Sequence, residues 1–185
     1  GGVALMLGCC GAICDWAGRY ELYDDTVAFL REQLQSLGNP VVIAGCPTCK
    51  KQLTGQGQQV RGIWEVLEEI GLPPHGQFCG PVAVHDGCGA RGDRQTQDSI
   101  RRIAEELGCQ VMQTPYEGDQ APCCGYGGLT QYANREVADE MTVQCLERSD
   151  LPYLSYCMAC RDRFARQGRR SMHLLELVYN TPADN

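Results

Sequence analysis

The sequence predicts an α/β fold of two pseudo-symmetric lobes, each a small, mainly parallel sheet flanked by helices, with cysteine clusters at the C-terminal ends of strands. Short apolar runs such as Val41-Val42-Ile43-Ala44 and Pro81-Val82-Ala83-Val84 alternate with longer segments of helical period. That alternation is the mark of strands and crossover helices in parallel sheets. A cysteine pattern also occurs twice, Cys9-Cys10-Gly11 before Cys46-Pro47-Thr48-Cys49, and Cys123-Cys124-Gly125 before Cys157-Met158-Ala159-Cys160. The period from Cys10 to Cys124 is 114 residues, the size of a small lobe rather than of a solenoid turn. The stretches beyond each CxxC match as well: Ile63-Trp64-Glu65-Val66-Leu67-Glu68 lies as far past the first as His173-Leu174-Leu175-Glu176-Leu177 past the second, within a residue, and His173 aligns with Trp64.

In chain order, Val3 to Leu7 reads as a short buried strand leading to the first cysteine pair, and residues 15–18 as a turn or helix opening. Residues 20–37 read as a helix with Leu22, Val27, Leu30, Leu34 and Leu37 on one stripe, stopped by Gly38-Asn39-Pro40. The run 41–44 reads as a strand buried on both faces. A helix follows the first CxxC, then a Gly/Gln loop at 55–59, then a helix through about Ile70. The linker-like stretch Gly71-Leu72-Pro73-Pro74-His75-Gly76 divides the chain into a first repeat, 1–76, and a second, 77–185; it is short, so the lobes are expected to lie close together. Residues 81–85 read as a strand, 96–107 as a helix with Ile100, Ile103, Ala104 and Leu107 inward, and 110–113 as a strand. Helices are expected over 133–147, 157–167 and 173–179, with a strand at 151–156. This puts every cysteine cluster just past a strand, where sites form in open parallel sheets and where helix N-termini favour negative charge.

Composition bounds the function. The chain has 185 residues, 43% of them hydrophobic, and a formal charge of −7, which argues against a nucleic-acid or anionic-membrane partner. Thirteen cysteines cannot all pair as disulfides. No signal peptide is evident, since the run 3–7 is short with no basic segment before it, and no run approaches the roughly 18 apolar residues of a membrane span. Reduced, metal-binding cysteines in a cytoplasmic protein fit this better than a secreted disulfide scaffold.

Two adjacent cysteines before the glycine-rich Gly125-Tyr126-Gly127-Gly128 suit a soft metal centre, because zinc and iron–sulfur clusters select thiolates. With Cys88 upstream the second repeat reads C-x34-CC-x32-CxxC, five thiols from three places. In the first repeat the four thiols of Cys9, Cys10, Cys46 and Cys49 suit tetrahedral zinc or a small cluster. Cys46-Pro47-Thr48-Cys49 alone also resembles a thioredoxin-like redox pair, but such an enzyme needs only two cysteines. Gly87-Cys88-Gly89-Ala90-Arg91-Gly92 matches the dinucleotide GxGxxG; no acidic residue is clearly placed after the next strand, and its glycines are better read as letting backbone approach a bulky cluster. His85 and Asp86, just before Cys88, could supply protons to a substrate thiolate, or cap a strand end and form a turn. Arg91 and Tyr126 are weaker candidates for touching substrate, and His173 reads as structural. Cys109 and Cys145 read as small hydrophobes; Cys14 could lie near the first site, and Cys79 has no evident role.

The repeated C-x(n)-CCG-x(n)-CxxC pattern resembles the cysteine-rich (CCG) domain of heterodisulfide reductases, similar to domains in iron–sulfur proteins of glycolate, lactate and anaerobic glycerol-3-phosphate oxidation. The resemblance covers nearly the whole chain. It implies a non-cubane 4Fe-4S cluster at the second repeat, held by Cys88, Cys123, Cys124, Cys157 and Cys160. It also implies a flavin or iron–sulfur electron donor and a small-molecule disulfide or other redox substrate. A full first repeat would carry a lone cysteine about 35 residues before Cys9, as Cys88 precedes Cys123. The chain therefore reads as the C-terminal portion of a longer oxidoreductase, whose first site holds zinc, a second cluster or nothing. The rival readings are a structural zinc domain and a metal-free thiol–disulfide oxidoreductase.

Overall fold

The computed structural model describes residues 2–78 and 80–179. The first half runs α1 (Ala12–Trp16), α2 (Tyr20–Ser36), β1 (Val42–Ala44), α3 (Pro47–Gly55), β2 (Val60–Gly62) and α4 (Ile63–Ile70). Strands β1 and β2 pair in parallel, Val42 opposite Val60 and Ala44 opposite Gly62, with α3 as the crossover. Proline opens α3 at its first turn, where its missing N–H and fixed φ cost nothing. As expected, α2 stops at Gly38, which has φ +80, and the Asn39 amide donates back to the Leu34 carbonyl at 2.8 Å. A small core of Cys10, Ala12, Leu30, Leu34 and Leu53 lies beneath.

The second half runs β3 (Gly80–His85), α5 (Arg94–Glu106), β4 (Cys109–Met112), α6 (Thr130–Ala133), α7 (Arg135–Leu146), β5 (Tyr153–Ser155), α8 (Met158–Arg166), β6 (Ser171–His173) and α9 (Leu174–Val178). Its sheet is all parallel in the order β4-β3-β5-β6. Alternation along β3 feeds two layers. Val82 and Val84 join Ile100, Ile103, Ala104 and Leu107, together with Trp64 and Leu67 of α4. Ala83 faces the other way, toward Cys145, Leu146 and Phe164. Helices on both sides explain why β3 reads as a continuous apolar run.

The repeat is visible element by element. Adding 111 residues carries β1, α3 and β2 onto β5, α8 and β6 and the start of α4 onto the start of α9. Both tail helices open with the same capping box: the Gly62 amide donates to Glu65 at 2.9 Å and the His173 amide to Glu176 at 2.8 Å. His173 therefore corresponds to Gly62 rather than to Trp64.

Several expectations are corrected. Residues 3–7 are not a buried strand: Val3, Leu5 and Leu7 are exposed, and only Met6 packs on the first core. Apolar residues form a strand only beside a ladder, and the equivalent approach to Cys123 is also a loop. The run 41–44 is buried on one side only, because a two-stranded sheet has few neighbours to cover it; Val41 and Ile43 are half-exposed. Leu22 and Leu37 of the α2 stripe are likewise half-exposed. The three-residue strands β2 and β6 went unread, and β6 takes His173 from the expected last helix. The helix expected over 133–147 is α7, which starts after Asn134, whose side chain accepts from the Val137 amide at 3.2 Å and caps it; the short α6 before it was not expected. The adjacent cysteine pairs sit in loops; only Cys46, Cys88 and Cys157 follow strands directly. Among the described residues no helix is long and apolar enough to cross a membrane.

Ile100→Ala empties a site that is fully buried between β3 and α4. It should cost about 2–5 kcal/mol, whereas Leu5→Ala, at an exposed position, should change stability by about 0.5 kcal/mol or less. Urea unfolding of the two variants checks both.

Candidate metal centre

The two cysteine pairs adopt one turn. Gly11 has φ +87 and Gly125 φ +91, and each glycine amide donates to the sulfur two residues back, Cys9 or Cys123, at 3.4 Å. Glycine is required twice over. Its backbone is left-handed, and a Cβ would lie 2.8 Å from the Tyr23 ring at Gly11 and 2.3 Å from the Ala138 carbonyl oxygen at Gly125.

The CxxC pairs are also alike. Cys46 and Cys157 are the N-caps of α3 and α8, both extended, so each sulfur sits at the positive end of a helix. Cys88 follows β3 in a short helical turn, Cys88–Ala90. In the first set the Cys49 thiol holds both Cys10 and Cys46 down to about 6; for Cys46 the backbone amides of Cys49 and Thr48 assist against burial. Cys49 is pushed far up by Cys10 and Cys46. In the second set Cys123 is held down to about 2 by the thiols of Cys124 and then Cys88, helped by the Gly125 and Gly127 amides. Cys88 is pushed well up beside Cys123, and Cys124 up to about 12. The Cys160 thiol lowers Cys157, while Cys160 is itself raised by Cys124 and then Cys157. Each of the five thiols thus shifts a neighbour: Cys88 with Cys123, Cys123 with Cys124, Cys124 with Cys160, and Cys160 with Cys157.

Two glycines keep these sulfurs uncrowded. A Cβ on Gly127 would lie 3.3 Å from the Cys88 sulfur and 3.6 Å from that of Cys123; one on Gly87 would lie 3.3 Å from the Cys157 Cβ and 3.7 Å from the Cys160 sulfur. Of the three glycines in the GxGxxG stretch only Gly87 stands beside cysteines; Gly89 meets Thr48 and Gly92 has open space around it, and Asp93 caps α5 by accepting from the Thr96 amide at 3.1 Å.

Both sets open on one cavity of about 830 Å³. Cys9, Cys10, Cys46 and Cys49 line it from the first half, and Cys88, Cys124, Cys157 and Cys160 from the second. Among the described residues no Lys, Arg, Asp or Glu lines it. A concentration of acidic thiols without a cation calls for positive charge from elsewhere, which a soft metal centre would supply. The all-sulfur donor set and the glycine clearances fit such a centre. Among the described residues no three His, Cys, Asp or Glu side chains converge as ligands of one single ion.

The other sequence candidates are scattered. His85 is not on the cavity wall: it is buried with Nδ1 3.6 Å from the Cys145 sulfur and its ring edge-to-face with Phe164 at 4.8 Å, residues of the layer that also holds Cys124 and Cys160. Burial holds it neutral, with its pKa down at about 4. Asp86 is wholly buried and bonded to Arg101 at 2.8 Å. Arg91 donates to the Ala121 carbonyl at 2.6 Å, while Tyr126 does reach the cavity. Cys14 lies off the cavity wall, Cys109 and Cys145 are core residues, and Cys79 lies outside the described residues. Sequence reasoning missed Tyr156, Trp16 and Met158, which line the cavity; the apolar Leu151–Tyr156 run marks a strand but not which of its side chains turns to the site.

A family model described as a cysteine-rich domain, CCG, matches residues 4–54 and 82–161, well over half of the chain. The chain belongs to this family. Each matched segment of the CCG domain contains one CCG turn and one CxxC. No curated protein gives a significant match to the chain.

Because Cys10 and Cys46 titrate near 6 and Cys49 far higher, the reduced, metal-free CCG domain should alkylate at Cys10 and Cys46 at rates that rise through pH 6 and level off by about pH 7.5, with Cys49 lagging. Mass spectrometry after timed iodoacetamide treatment checks this.

Proposed function

We propose that this chain is the iron–sulfur domain of an oxidoreductase, with Cys88, Cys123, Cys124, Cys157 and Cys160 holding a non-cubane 4Fe-4S cluster. The observation that supports it best is a set of five neighbouring thiols from three segments, four of which, Cys88, Cys124, Cys157 and Cys160, line a cavity whose wall carries no Lys or Arg among the described residues. A dithiol enzyme needs two sulfurs and a tetrahedral zinc site four; a fifth, drawn from a third segment, favours a larger centre. When bound, such a cluster supplies one-electron redox chemistry that no side chain provides. The chain's own part is to hold the thiolates, screen them with backbone amides at Gly125, Gly127 and the N-terminus of α8, and present a largely apolar cavity to a substrate. The family resemblance favours electron transfer from a flavin or iron–sulfur donor to a small disulfide. The two repeats, 1–76 and 77–185, would then be two versions of one unit, the second carrying the principal centre.

At the first set, Cys9, Cys10, Cys46 and Cys49 would take zinc or a second cluster. A second reading has a specific observation behind it: Cys46, with its pKa near 6 at a helix N-terminus, is suited to thiol–disulfide exchange with Cys49.

Protein purified without oxygen should contain iron and inorganic sulfide. Cys124→Ala and Cys157→Ala should each lose most of the iron, read by metal analysis and electron paramagnetic resonance. Wild-type iron and spectra in both variants would remove these ligands from the assignment. Protein handled in air should carry a Cys46–Cys49 disulfide or zinc at the first set, with surviving iron at the second. Anomalous scattering at the iron and zinc edges locates each metal, and equal iron at both sets would show that four thiols suffice at the first.

A further inference from the structure

We infer that Asp86 is the positioning residue of the second cysteine set: one buried carboxylate holds together the three chain segments that deliver its five thiols. The inference rests on the reading of this set as a metal centre. Asp86 opens the segment that leads from β3 to Cys88. Its side chain is 0% exposed and takes four bonds. Tyr156, next to Cys157, donates its hydroxyl to Oδ1 at 2.9 Å. Gly118, in the loop that leads to Cys123, donates its amide to Oδ2 at 2.7 Å. Arg101 of α5 completes the pair, with Nη2 2.8 Å from Oδ2 and Nη1 3.2 Å from Oδ1.

Each partner has a reason to be there. Gly118 has φ +62, which turns its amide inward from a loop with no ladder to hold it. The same loop is fastened to the turn after Cys88 by the Gly92 amide, which donates to Asp119 at 2.8 Å, and by Arg91 on the Ala121 carbonyl at 2.6 Å. Tyr156 is the only link from Asp86 to the segment of Cys157 and Cys160 among these contacts. Four donors use the accepting capacity of a carboxylate, so Asp86 has none left for a substrate. Its work is to fix where Cys88, Cys123 and Cys157 stand relative to one another. Such supporting bonds orient ligands, and their removal typically weakens metal binding about 10–100-fold.

The test uses the reduced, metal-free chain carrying Cys46→Ser and Cys49→Ser, so that the second set dominates the signal. Cobalt(II) is titrated in and followed by thiolate-to-cobalt charge-transfer absorption and by the cobalt d–d bands. Tyr156→Phe removes one hydroxyl and keeps the ring in the core. Tyr153→Phe is the matched control, at the start of the strand that Tyr156 follows: among the described residues its hydroxyl bonds only the Cys145 carbonyl, at 3.1 Å. We expect Tyr156→Phe to weaken cobalt binding about tenfold or more and to shift the d–d bands, and Tyr153→Phe to weaken it by less than about threefold. Asp86→Asn should weaken it at least as much as Tyr156→Phe. A loss below about threefold in Tyr156→Phe, or an equal loss in Tyr153→Phe, overturns the inference. Absence of cobalt binding in the parent chain would instead sink the metal-centre reading, and the inference with it.

Discussion

The contact on which the rest depends is the meeting of two backbones at Gly89 and Thr48. A Cβ on Gly89 would lie 2.6 Å from the Thr48 hydroxyl and 2.9 Å from its amide nitrogen, so the turn after Cys88 rests directly on the first turn of α3. That approach brings the CxxC of the first half to the mouth of the second and makes one cavity from two cysteine sets. It is held by charge as well as shape. Lys50 of α3 pairs with Asp93, the N-cap of α5, at 2.6 Å and with Glu65 of α4. Removing one partner from a mostly buried ion pair leaves the other without compensation, a loss of about 3–5 kcal/mol where burial is complete. Trp64 and Leu67 of α4 complete the joint by packing into the core under β3.

The electrostatics of the cavity follow from this geometry. The N-termini of α3 and α8 both point at it, and the CCG glycines turn their amides toward sulfur. These are partial charges, roughly half an elementary charge per helix end, and they face several acidic thiols with no lysine or arginine on the wall among the described residues. Partial charges lower a thiol's pKa but do not neutralise several thiolates in a recess. On the reading proposed above, a bound centre would supply the balancing charge.

Much of this was legible in the sequence, for identifiable reasons. β3 and α5 were readable because both are buried deeply enough for their apolar residues to show a clear run or period. The CCG turns and CxxC caps were readable because their chemistry admits few substitutes. What escaped notice was set by neighbours rather than by local pattern. Val3 to Leu7 has strand composition but no ladder to join. β2 and β6 are three residues each, too short for any period. His85 stands three residues from Cys88, yet Phe164 and Cys145 enclose it short of the cavity wall. Proximity in sequence carried the expectation, and the packing around the side chain decided the outcome.

The halves share a motif but differ in what stands behind it. At the second pair, the Cys124 carbonyl accepts from Thr142 at 2.7 Å; Thr142 is fully buried and is itself held by Arg163 at 2.6 Å. Arg163, also buried, bonds the Ala138 carbonyl at 2.5 Å, the group that presses on Gly125. At the first pair, the Cys10 carbonyl accepts from a single glutamine, Gln56, at 2.9 Å, and Cys9 is exposed. The second set also has four strands beneath it against two. A ligand set is only as well placed as the groups that hold it. The turn backed by a buried network keeps its sulfurs in position before anything binds, and the turn backed by one side chain leaves them free to rearrange. The difference in redox behaviour expected of the two sets thus has a structural origin independent of how many thiols each contains.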